Sequence, residues 1–151
     1  MSAAEHERRR ACVARLVADV DADLADYRRL IAVLDALHRA LAGEHLDALA
    51  RTHEAALQLV SRLRTRARRR VQCLEQAFGA TSANTMAPVM RWLATDAPEA
   101  YETFASRWTS LQTIAARCKT INARNLRDIG ARLQALDVVL SPMAATYAPQ
   151  R

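Results

Sequence analysis

Helix breakers are almost absent from the first half of this 151-residue chain. All four prolines, Pro88, Pro98, Pro142 and Pro149, lie at or after position 88, and the first 87 residues hold only Gly43 and Gly79. Proline and glycine are the strongest local punctuators, so a chain this poor in them is driven toward long helices. Hydrophobic residues make up 51%, enough for a packed core, but 32 residues are alanine and aromatics are only 5%. The core is therefore expected to be thin, helical and built from Ala, Leu and Val.

The apolar pattern agrees. From about residue 4 to 42, Val13, Leu16, Val20, Leu24, Tyr27, Ile31, Leu34, Leu37 and Leu41 recur every three or four residues, which predicts one helix roughly 55 Å long. Gly43 is the expected left-handed residue closing it. From about 44 to 78 a second stripe, Leu46, Leu49, His53, Ala56, Val60, Leu63, Ala67, Val71, Leu74 and Phe78, predicts a helix ending at Gly79, with Glu44 and Asp47 in its first turn. So short a connection at Gly43 folds the two into an antiparallel hairpin.

Ser82, Asn84 and Thr85 are cap or turn residues. Met86, Val89, Met90, Trp92 and Leu93 form an apolar cluster on a short helix of about 85–94, started by Pro88 and expected to plug one end of the bundle. Asp96, Pro98 and Glu99 predict a capped start to a last helix of about 97–140. Its stripe runs Phe104, Trp108, Leu111, Ala115, Cys118, Asn122, Asn125, Ile129, Leu133, Leu136 and Leu140, with Pro142 as the stop and 141–151 as a tail. The expected fold is all-α: one domain over 1–151, an elongated antiparallel bundle of three long helices with a short helical connector.

The net charge of +6 comes from one place. Arg62, Arg64, Arg66, Arg68, Arg69 and Arg70 account for all of it; without them acids and bases balance. No acidic residue lies between Ala55 and Leu74 to pair locally. The run reads as a solvated face with long stems over apolar surface, as a contact for an acidic partner, or as a phosphate binder. No aromatic platform precedes Phe78, which weighs against single-strand binding. Asp19, Asp21 and Asp23 fall on helical faces that read as solvated.

Catalytic and metal chemistry lack their residues. There is no Gly-rich phosphate loop, nucleophile elbow or His-Glu-x-x-His pair, so no enzyme activity, metal or cofactor is expected. His53, on the second stripe, reads as a core histidine. Cys12, Cys73 and Cys118 are odd in number and far apart, and read as buried reduced thiols. The polar stretch Met1–Arg10 lacks a signal-peptide apolar region, and no segment matches a membrane span, so a cytoplasmic location is expected.

Asn122 and Asn125 interrupt the last stripe. Burying an amide costs unless it is hydrogen-bonded. They either fix helix register, as buried Asn does in coiled coils, or face a groove that receives a partner. Gly130 marks either a close helix approach or neutral drift. Tyr147 belongs either to a frayed end or to a short docking segment.

The stretch Trp108-x-x-Leu111, Cys118-x-x-x-Asn122-x-x-Asn125, Ile129, Leu133, Leu140 and Thr146-Tyr147-x-Pro149 resembles the FlgN family of flagellar export chaperones. Leu126 stands where that family usually has Gly. The resemblance implies a cytosolic chaperone for the hook–filament junction proteins FlgK and FlgL, which it covers and delivers to the type III export gate. It implies substrate contact through Asn122, Asn125, Ile129, Leu133, Leu136 and Leu140, and gate docking through Tyr147. Two other readings are a coiled-coil component of the export apparatus resembling FliJ, and an arginine-rich nucleic-acid binder.

Overall fold

A computed structural model describes residues 1–79 and 86–147; the side chains at 133 and from 136 onward lie outside the described residues, as do the expected turn residues Ser82, Asn84 and Thr85. Among the described residues the elements are four helices: α1 (Ala3–Gly43), α2 (Leu46–Phe78), α3 (Ala87–Asp96) and α4 (Pro98–Tyr147).

Helix α1 opens on a capping box. The Ser2 hydroxyl accepts the Glu5 backbone N–H, and the Glu5 carboxylate accepts that of Ser2. These hydrogen bonds to Ser2 hold the Glu5 carboxyl below its ordinary range. The Ser-x-x-Glu spacing was readable in the sequence. At the other end, the left-handed residue is Glu44 (φ 57°) and not Gly43. His45 N–H bonds to Ala40 O and Glu44 N–H to Leu41 O, a Schellman closure. A Cβ at Gly43 would sit 2.7 Å from Cδ2 of the exposed His45 ring, so a side chain there would push that ring aside. α2 accordingly starts at Leu46, with Glu44 outside it, and ends at Gly79 (φ 95°) as expected.

α1 is the central element. α2 packs back along it, and α4 packs along it in the same direction as α1. Side-chain pairs fix that register: Arg107–Asp21 at 2.9 Å, Arg124–Asp35 at 3.3 Å and Arg132–Glu44 at 3.8 Å. His38 Nδ1 also lies 3.0 Å from Asp128 Oδ2, though poorly aligned for a hydrogen bond. α2 and α4 approach each other little.

Two apolar clusters form. The first holds Leu16, Val20, Leu74, Phe104 and Leu111, together with Met86, Val89, Trp92 and Leu93 of the α3 segment, which plugs this end as expected. The second, toward the α1–α2 turn, holds Leu30, Ile31, Leu34, Leu37, Leu41, Leu59, Leu63 and Cys118.

Several expectations need correction. Asp96 does not cap α4; it is the last residue of α3, and Ala97 forms the break between the two helices. α4 runs past the expected stop at Pro142 to Tyr147, at the cost of the one backbone hydrogen bond proline cannot donate. A Cβ on Gly130 would meet nothing within 4 Å, so no close helix approach explains it. Cys12 and Cys73 are not separate thiols: a disulfide joins them across α1 and α2, with Cα atoms 5.8 Å apart. Cys118 is free and buried.

The largest difference lies on α2. Its central face toward α1 carries Arg66 and Arg70, and the expected stripe positions Ala67 and Val71 are displaced outward, leaving Val71 exposed. Asp19 and Asp23 of α1, expected to be solvated, are buried opposite them, as is Asp26, whereas Asp21 is exposed as expected. Arg66 bridges Asp23 and Asp26; Arg70 meets Asp23 at 2.8 Å, Arg62 meets Asp26 at 3.1 Å, and Arg69 chelates Asp19. The arginine run is therefore mostly the acid-paired seam of the hairpin. Burial works against the Arg66 charge, but the hydrogen bonds it donates to Asp23 and Asp26 outweigh it and raise its pKa above the ordinary arginine value.

Candidate functional site

Because α2 and α4 both lie on α1 but diverge from each other, a groove opens between them toward the α1–α2 turn. It has a volume of about 340 Å³. Tyr27, Leu30, Leu34 and Leu37 of α1 form its floor, His53, Ala56, Leu57 and Val60 of α2 one wall, and Ala115, Cys118, Lys119 and Asn122 of α4 the other. The lining is mostly apolar, and Leu57 is 51% exposed. Burial pushes the Tyr27 hydroxyl and the Cys118 thiol above their ordinary pKa ranges, so both are neutral here. His53 is exposed on the rim, which corrects its reading as a core histidine.

The two asparagines part company. Asn122 is exposed on the groove wall. Asn125 is 1% exposed, and its Nδ2 donates to Leu34 O at 2.9 Å. That bond ties α4 to one level of α1, which is the register role. The Asn125 amide is spent inside the fold and is not offered to a partner.

Beyond the groove, α4 continues an apolar stripe. Leu126 is 60% exposed, one turn from Asn122. Ile129 is half-buried against the second cluster. The same three- and four-residue steps reach Leu133, Leu136 and Leu140, whose side chains, like that of Tyr147, lie outside the described residues. The Arg132–Glu44 pair places the α1–α2 turn beside Arg132. Residues 133–147 therefore continue past the hairpin by about 22 Å at the ordinary helical rise. The sequence reading missed Leu57 and Leu126; each is an apolar residue off or against the expected pattern, and only the divergence of α2 from α4 gives Leu57 its meaning.

No group of three His, Cys, Asp or Glu among the described residues is placed to hold a metal ion, and no helix among them is long and apolar enough to cross a membrane.

The described residues form an elongated three-helix scaffold with an apolar groove between α2 and α4. The family model described as FlgN protein matches residues 13–147, and the chain belongs to the FlgN family, a family of flagellar chaperones and not of enzymes. No curated protein and no solved structure matches the chain.

Proposed function

We propose that this chain is a cytosolic type III export chaperone that binds hook–filament junction proteins of the FlgK and FlgL kind and delivers them to the flagellar export gate. The observation that carries the reading is the uncovered apolar surface that begins in the α2–α4 groove and continues along α4 through Leu126 and Ile129. Membership of the FlgN family supports it.

A substrate helix carrying apolar residues at i, i+3, i+4 and i+7 matches the spacing of Asn122, Leu126, Ile129, Leu133, Leu136 and Leu140. Burial of about 25 cal/mol per Å² of apolar area drives such a contact, less the cost of ordering the substrate. The Asn122 amide offers a donor and an acceptor at the start of the stripe. The contact is non-covalent and therefore reversible, as hand-over for export requires. Tyr147, at the end of α4, is proposed as the aromatic anchor on the gate.

Co-expression with the terminal helices of the junction proteins tests the reading. The native chain is expected to co-purify with them, and Leu133→Asp combined with Leu136→Asp to abolish the complex. Unchanged binding by a folded double variant would defeat the proposal.

A further inference from the structure

The Cys12–Cys73 bridge lies at the opposite end of the α1–α2 hairpin from the groove, in a surface cleft of about 200 Å³. Both cysteines line the cleft; Cys12 is 4% exposed and Cys73 is half-buried. Arg8 and Arg15 flank it, one on each side of Cys12 along α1. Both are exposed, and neither makes an ion pair with a described carboxylate; Arg8 acts only as a distant charge on Glu5. In the α1–α2 seam, by contrast, Arg62, Arg66, Arg69 and Arg70 are committed to Asp19, Asp23 and Asp26. Here two uncommitted guanidinium groups frame the one described disulfide.

We infer that Cys12–Cys73 is a reversible redox site whose exchange partner is an anionic low-molecular-weight thiol, recruited through its carboxylates by Arg8 and Arg15. Guanidinium forks suit carboxylates, and two like charges at a cleft raise the local concentration of an anionic reagent. Cys73 is the more exposed of the two and is the point of attack. The thiolate of the small molecule, its proton already lost to water, attacks Cys73 Sγ. A bond forms between those two sulfurs, the Cys12–Cys73 bond breaks, and Cys12 leaves as a thiolate that takes a proton from solvent. A second small thiolate then attacks the small-molecule sulfur of the mixed disulfide. Cys73 leaves as a thiolate and takes up a proton from solvent, and a symmetric small-molecule disulfide is released. Two small thiols are oxidised and one protein disulfide is reduced; the reverse sequence, from the small disulfide, closes the bridge. Cys118 takes no part, because burial disfavours its thiolate. Opening the bridge releases a loop of sequence separation 61, so it loosens the hairpin at the plugged end and leaves the groove lining in place.

The test is the rate of bridge opening in the folded full-length chain, followed by acid quench, alkylation and peptide mapping. The probes are reduced glutathione and the neutral thiol 2-mercaptoethanol, compared at equal thiolate concentration. Glutathione is expected to open the bridge about fivefold faster or more, with an advantage that shrinks as salt is raised. Arg8→Gln with Arg15→Gln is expected to erase the advantage, and Arg8→Lys with Arg15→Lys to keep most of it. The reduced chain is expected to melt about 5–15 °C lower than the oxidised one. Equal rates for the two thiols, an advantage indifferent to salt, or a bridge that opens only when the chain unfolds would each overturn the inference.

Discussion

Asp23 is buried to 1% exposure in the centre of a thin bundle and accepts from both Arg66 and Arg70. Asp23→Ala leaves Arg70 without its carboxylate and Arg66 with Asp26 alone, so it is expected to destabilise by about 3–5 kcal/mol in chemical denaturation. The two asparagines predict opposite outcomes. Asn125→Ala removes the buried donor to Leu34 O and is expected to cost about 1–3 kcal/mol, whereas Asn122→Ala is expected to leave stability within about 0.5 kcal/mol. Tyr27 and Cys118 set the alkaline limit. Each has a folded pKa raised by burial above its ordinary value, 10.0 for Tyr27 and 9.0 for Cys118. The folded state favours their neutral forms, so this contribution is intact below those ordinary values and is lost as pH climbs through the raised ones. Thermal melts are expected to show stability falling as pH rises from about 9 upward. The residue types at these sites were legible, but their pairing was not. Asp19, Asp23 and Asp26 recur at helical spacing, as do Arg62, Arg66, Arg69 and Arg70, and the two sets sit at mirror positions about the Glu44–His45 turn. Searching for partners nearby in sequence misses them, because an antiparallel hairpin brings together residues 36 to 50 positions apart.

At the scale of the element, the α1 stripe was the most legible part. Every one of its expected residues is buried except the half-buried Tyr27. α2 was the least legible. Its apolar residues allowed a continuous stripe, but the acids of α1 draw Arg66 and Arg70 inward and rotate that stripe away. α4 presents a third case: an anchored first part, held by Phe104, Leu111, Cys118 and Asn125, and a continuation past the hairpin. Leu126→Asp belongs to this helix's outward face. It is expected to change the unfolding free energy by less than about 0.5 kcal/mol while weakening capture of a junction-protein helix at least about tenfold. A large loss of stability would place Leu126 in the core and not on a docking surface.

The whole molecule is a central helix with two neighbours that share it unequally. α2 is held by the disulfide, two apolar clusters and the acid–arginine seam between them. α4 is held by apolar contacts, the Asn125 bond and a sparser set of ion pairs. The basic run is consumed largely in building the hairpin, which leaves the apolar groove as the most distinctive open surface for a partner. The most direct test of that account is site-specific photo-cross-linking in the complex with a junction-protein terminal helix. A cross-linker at Leu126 or Leu57 is expected to capture the substrate helix, and one at the exposed Gln72, on the arginine-rich half of α2, to capture none. Capture from Gln72 with none from Leu57 or Leu126 would contradict it.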